Sequence, residues 1–440
     1  MRPASACSAA LNRLLLFLSL LTLLHLPVVQ AAGQEPRRWG VSYGLRSAQI
    51  IHPNPSANRV ADVLPLLYYD NDGWLFLDGL VGGIRVYTTD TWQISAIASY
   101  RFFDLPADRQ NEFRGNALDL GPRFQFRLSP DSELDLEFLN DQDGRYHASL
   151  VGRYRSQHRR WSAEPWAKLR WKDAAFNNFY YGLGIEEPGS GFDATIGADA
   201  RYQVTRNFYV FGSASLLFLD QNTADIQTIN SRTQTVLYLG VGLFNDQRQP
   251  RTPRLKAKPY VRLAYGWATP SSLGEILIFD AESDPYDNRM ASVFYGHPLA
   301  DTLLGAPVQV YLTPGLIYHF KSGVQVSFPE YVLAVKGFYT FDWPLRVRLG
   351  LGSGLSYSTH ITYNEQQEMD RNNYVPSRYM AYLDVSADLN LGDLFHAASM
   401  DDLWLGIGIQ HRSGIYETSS AFGRIKGGSN YVGAYLQYHW

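Results

Sequence analysis

The chain has 440 residues, 39 basic against 42 acidic side chains and a net charge of −3, so it offers no basic excess for nucleic acid. Its mean hydropathy of −0.22 excludes a bundle of membrane helices. Aromatic residues make up 14% (29 Tyr, 23 Phe and 10 Trp), which suits apolar faces that end at a wet interface.

The first element is an export signal. Arg2 and Arg13 precede the apolar run Leu14 to Leu24, which continues through Val28-Val29. Val29-Gln30-Ala31 then supplies short side chains before a cut, so residues 1–31 read as a cleaved secretory signal peptide. The single cysteine, Cys7, lies inside that leader and ahead of its apolar run, so it is not a lipoprotein cysteine. The mature chain is expected to carry no thiol, hence no disulfide and no Cys-ligated metal. After Ala32 no apolar stretch reaches the roughly 18 residues that a spanning helix needs.

Beyond the leader, hydropathy alternates with a period of two. In the hairpin around Ser129-Pro130-Asp131, Phe124, Phe126 and Leu128 face one way, as do Leu134, Leu136 and Phe138. A short turn sets Arg127 opposite Glu133, Gln125 opposite Asp135 and Arg123 opposite Glu137, so opposite charges meet on one face and oily groups on the other. Trp161, Ala163, Pro165, Ala167, Leu169 and Trp171 alternate with Glu164, Lys168 and Arg170, with Trp166 on the polar face. Phe192, Ala194, Ile196, Ala198, Ala200, Tyr202 and Val204 alternate with Asp193, Asp199 and Arg201. Leu345, Val347, Leu349 and Leu351 alternate with Arg346 and Arg348; Leu383 to Leu391 alternate with Asp384 and Asp388. The last strand, Asn430 to Trp440, ends on an aromatic residue, which resembles the terminal signal of outer-membrane barrels.

Such strands run about 10 to 14 residues, against the usual five or six of globular sheets. Long strands with charge on alternate positions fit a tilted membrane wall. The competing reading is a secreted β-sandwich. The fold expected is therefore all-β: an antiparallel outer-membrane β-barrel after a cleaved signal peptide.

About 10 to 12 strands fall between Trp39 and Asn245, where Thr235 to Phe244 has the look of a closing strand, and about eight between Pro259 and Trp440. Between them Arg248, Arg251, Arg254, Lys256 and Lys258 share a stretch with Pro250, Pro253 and Pro259, a linker and not a strand. The division expected is signal 1–31, first barrel 32–245, linker 246–259 and second barrel 260–440. One barrel of about 20 strands is the alternative. With the termini in the periplasm, the loops Asp104 to Leu118, Gln221 to Arg232 and Tyr363 to Ser377 would face outside.

Leu64-Pro65-Leu66-Leu67-Tyr68-Tyr69, the turn Asp70-Asn71-Asp72-Gly73 and the strand to Tyr87 come first in a set of local matches. Asn177-Asn178-Phe179-Tyr180-Tyr181-Gly182, then Tyr209 to Leu219 and Thr235 to Phe244, follow in order. With these the first half resembles the MltA-interacting protein (MipA/OmpV) family. The resemblance implies an outer-membrane barrel that in some members brings murein hydrolase and synthase together. It carries over no catalytic residue.

In the second half Leu349 to Tyr357 and Gly406-Ile407-Gly408-Ile409-Gln410-His411-Arg412-Ser413 more faintly resemble PagL-type lipid A deacylases, which are eight-stranded barrels. That family uses His-x-Ser-Asn plus a later Glu. His411 and Ser413 match, Gly414 replaces the Asn, and Glu417 is the only nearby carboxylate. The resemblance would make Ser413 a nucleophile and His411 its base. Parity along Leu403, Leu405, Ile407 and Ile409 places both on the lipid side, two residues apart and near enough to interact, where lipopolysaccharide acyl chains begin. A polar pair at the interfacial rim is the plainer reading.

Asp70-Asn71-Asp72-Gly73 and Asp141-Gln142-Asp143-Gly144 open like calcium loops but lack the glutamate at position twelve, so they read as turns. Arg123, Glu133, Asp135, Glu137, Arg153, Asp199 and Arg201 would line a pore or pair up and fill it. No metal-ligand spacing, P-loop or dinucleotide fingerprint occurs, so no cofactor is expected. Three functions remain, in order: a non-catalytic scaffold in contact with outer-membrane lipid and murein enzymes, a lipid A acyl-ester hydrolase, and a passive small-solute pore.

Overall fold

The computed structural model describes residues 38–53, 58–70, 73–105, 113, 116–245, 254–372, 377–414 and 428–440. The signal-peptide reading of residues 1–31, most of the linker and Glu417 lie outside these residues.

Two antiparallel sheets form, each closed on itself. The first runs through β1 Arg38–Gln49, β2 Arg59–Asp70, β3 Leu75–Gly79, β4 Val81–Thr88, β5 Trp92–Arg101, β6 Ala117–Ser129 and β7 Ser132–Asn140. It continues with β8 Tyr146–Tyr154, β9 Ser156–His158, β10 Trp161–Lys172, β11 Gly191–Gln203, β12 Phe208–Phe218 and β13 Thr233–Phe244. β9 pairs only with the start of β10 and continues β8, so the wall has twelve positions. It closes where β13 pairs with β1, Val41 opposite Leu243 and Ala48 opposite Val236. The second is a closed barrel of eight: β14 Tyr260–Thr269, β15 Arg289–Ala300, β16 Val308–His319, β17 Phe328–Phe341, β18 Val347–Ser358, β19 Tyr379–Asn390, β20 Leu403–Ser413 and β21 Gly428–His439. Its seam joins β14 to β21, with Tyr260 opposite His439.

The hairpin register is the one the charge pattern dictates. Arg123 lies opposite Glu137, Gln125 opposite Asp135 and Arg127 opposite Glu133. Parity then sorts the side chains. Leu263, Leu333, Leu351 and Ile407 point outward and are more than half exposed, while Arg262, Lys336 and Arg348 point inward and are fully buried. Belts of outward aromatics edge the second barrel, with Trp267, Tyr318, Tyr331 and Tyr379 at one end and Tyr295, Tyr339, Tyr438 and Trp440 at the other.

Strand length departs from expectation at β3 and β4, which have five and eight residues. Gly79, at φ +62°, supplies a left-handed turn residue that reverses the chain through Leu80 before β3 reaches full length. β5 continues beyond it, the N–H of Tyr100 donating to the carbonyl of Leu80.

Most of the longer loops leave one end of each barrel, called upper here; Arg38, the linker, the β19–β20 connection and Trp440 share the lower end. The described residues of the three loops expected to face outside lie at the upper end. The described part of the linker tucks under the second barrel. The N–H groups of Lys256 and Ala257 donate to Asp301, and Ala257 packs with Tyr260, Tyr311 and Phe338. The two walls also touch. Phe208, Val241 and Leu243 of the first pack on Ala300, Val308 and Val310 of the second. Tyr43 Oη donates to the carbonyl of Gly354 at 2.8 Å.

Candidate functional site

The two interiors decide whether a channel exists. In the first barrel Arg123 meets Glu137 at 2.7 Å, Arg101 meets Asp119 at 2.7 Å, and Asp193 takes both Arg170 and Lys172. Arg153 pairs with Asp135. Arg155 takes Glu133, the residue that register places across from Arg127. Trp166 fills space above Gly197, its register partner, where a Cβ would come within 2.4 Å of the indole. The charges read in the sequence as pore-lining or pore-filling are therefore mostly engaged with one another.

The upper mouth of this barrel carries a lid. Asp173 caps α1 (Ala174–Tyr180) by accepting from the N–H of Phe176. Asn177 and Asn178 then hold the returning loop through the carbonyl and N–H of Gly189. Gly182 is required because a Cβ there would meet the Glu186 carbonyl at 2.0 Å. The helix lays Phe176, Tyr180, Tyr181 and Leu183 against Ile51, Phe103, Leu105 and Ile229. Tyr180 Oη donates to Asp141, whose carboxylate also accepts from the N–H groups of Asp143 and Arg145. Burial works to raise the Asp141 pKa, but these donors and the Arg145 guanidinium hold its carboxyl below the usual carboxylate range. Asp141-Gln142-Asp143-Gly144 is thus an Asx turn that anchors the lid, and no cluster of metal-ligating side chains occurs among the described residues.

The second interior is denser. Asp384 bridges Arg262 and Lys336, and Asp388 accepts two bonds from Arg348 and one from Tyr435 Oη at 2.7 Å. Above them His319 Nε2 lies 2.8 Å from Glu330, and Arg412 binds Glu365 of the helix Tyr363–Asn372, which closes the upper mouth.

His411 and Ser413 lie at the upper end of β20 on the outward parity, as the alternation requires. No hydrogen bond joins them. Two residues along one strand separate side-chain roots by roughly 6.6 Å, a gap closed only when the imidazole turns toward Ser413. His411 Nδ1 instead meets Asn430 Oδ1 at 2.5 Å, and Asn430 Nδ2 donates to the carbonyl of Ser271. His411 and Asn430 are direct cross-strand partners. Asn430 is the residue that sequence reasoning missed. Only the β20–β21 register reveals it, since 14 residues separate the two strands in the chain.

Residues 48–243 match the family described as MltA-interacting protein MipA. A comparison with curated proteins gives no match. Similar solved structures include a bacterial polysaccharide outer membrane secretin, at 12% identity over 93% of this chain and 99% of that one, with a TM-score of 0.24. OprB of Pseudomonas putida matches at 8% identity over 92% and 94%, TM-score 0.24. LpxR from Salmonella typhimurium matches at 10% identity over 67% and 88%, TM-score 0.19. Scores this low carry no argument about function. The match across residues 48–243 coincides with the first barrel, a closed antiparallel wall with an oily outer face, and makes that part of this outer-membrane β-barrel protein similar to the MltA-interacting protein (MipA) family.

Proposed function

We propose that this protein is a non-catalytic scaffold of the outer membrane that holds murein-processing enzymes at its periplasmic, lower end. The observation that carries the reading is the state of the two interiors. Both are filled by paired charges and closed above by a loop-borne helix, which leaves the rims and not a channel as working surface. The name of the matched family, an MltA-interacting protein, supports a murein enzyme as partner. The test is binding of the purified chain, folded in lipid nanodiscs, to a purified MltA-type murein hydrolase. Co-migration supports the scaffold; separate migration at micromolar concentrations of both contradicts it.

A second reading is favoured by one contact. Asn430 on His411 Nδ1 leaves Nε2 as a base on the lipid side, the part an orienting amide plays in some hydrolases. Ser413 would then attack an acyl ester of lipid A and pass its proton to His411, in a site with Asn430 where a carboxylate is usual. Mass spectrometry of lipid A from cells with and without the chain decides it. An acyl pattern unchanged by the protein, or equally changed by its Ser413→Ala variant, removes this reading.

A further inference from the structure

Between β14 and β15 the chain makes an excursion that neither reading uses. Its root is closed, because Thr269 Oγ1 donates to the carbonyl of Glu282 and the N–H of Glu282 donates to Ser271 Oγ. Ser271 is in turn held by Asn430, an outward residue of β21, so the excursion leaves the barrel on its lipid side. Within it, the short helix Leu273–Leu277 is fixed by a capping box between Ser272 and Glu275. Ile276 turns back and is buried, yet the next three residues turn away: Leu277, Ile278 and Phe279 are 51%, 72% and 89% exposed. Phe279 sits at φ +63°, a left-handed conformation unusual for an aromatic residue, and its ring stacks on no other ring among the described residues.

Three consecutive oily side chains held outward on a capped, closed loop are costly in water. Here they follow β14, whose uppermost exposed outward residue, Trp267, belongs to the aromatic belt. We propose that Leu277, Ile278 and Phe279 form a membrane wedge whose tip enters the acyl region of the leaflet around the upper end of the second barrel. Continuity with the lipid-facing wall assigns lipid as the occupant. The exposed Asp280 and Glu282 that come next set the depth, since carboxylates do not enter hydrocarbon. Insertion is then hydrophobic and independent of anionic headgroups.

Site-directed spin labelling tests this in phosphatidylcholine proteoliposomes of the full chain. Phe279→Cys in a Cys7→Ser background carries the label. Ile407→Cys on the outer wall and Gly323→Cys in an exposed upper loop are the lipid and water references. The wedge predicts that the label at 279 is reached by oxygen as at 407 and shielded from a water-soluble nickel chelate. It also predicts no change when anionic lipid is added. Accessibility like that at 323 overturns the proposal, and so does shielding from both reagents, which marks a protein contact. Heat-shifted migration on SDS gels checks that each variant is folded.

Discussion

At the scale of single residues, the second barrel is held by charges that could not be left alone. Arg348 and Asp388 are both buried and doubly bonded to each other. Removing one member of such a pair leaves the other as an unpaired buried charge, at a cost of about 3–5 kcal/mol. Asp388→Ala should lower stability to urea by that amount, whereas Asp287→Ala, in an exposed pair with Arg289, should leave it nearly unchanged. Equal effects would contradict the assignment. The turn below β18 gives a pH prediction. The Arg346 guanidinium, and next its backbone N–H, hold the Asp393 carboxyl down to about 2. A folded pKa below the unfolded value of roughly 3.9 means that this stabilisation is complete above about pH 4. It fades as pH falls through 2. Carboxyl NMR should find the Asp393 midpoint near 2, and Arg346→Ala should move it up toward the ordinary value. An unmoved midpoint would show that the arginine is not the cause. Single residues are also where the sequence is least informative. Parity places His411 and Ser413 outward but cannot supply Asn430, which only the fold brings beside the imidazole.

At the scale of elements, alternation carries most of the architecture. The β6–β7 hairpin can be registered from charge alone, because a slip of one residue would turn Phe124, Leu134 and Leu136 to the wrong side. Reversing one charge, in Arg123→Glu, places two carboxylates together in the interior and should destabilise the first barrel. The double exchange Arg123→Glu with Glu137→Arg should recover at least half of the loss in urea unfolding. A double variant no better than the single one would mean that the pair is not coupled. Other features are illegible for physical reasons. The early turn at Gly79 resembles any glycine within a strand. The lid motif Asn177 to Gly182 is a recognisable string, but its task of pinning a loop over the mouth depends on Asp141 and Gly189, distant in the chain.

At the scale of the whole molecule, the proline-broken basic segment favours two barrels over one, and the pairing of β13 with β1 and of β21 with β14 makes each ring complete. Their contact is not legible in the sequence. Val310 and Leu316 are equally oily and share an outward parity on β16, yet Val310 meets the first barrel and Leu316 stays exposed. Filled interiors predict that the reconstituted chain gives no conductance steps in planar bilayers. Regular steps would mean that the ion pairs and lid open readily. The most direct test of the central claim, two separately closed barrels, is a specific protease site placed between residues 246 and 253 and cut after folding in lipid. Two closed rings predict that both fragments stay in the membrane and that each keeps its own heat-shifted migration on SDS gels. Loss of the shift in both fragments would mean that the strands of the two halves share one wall.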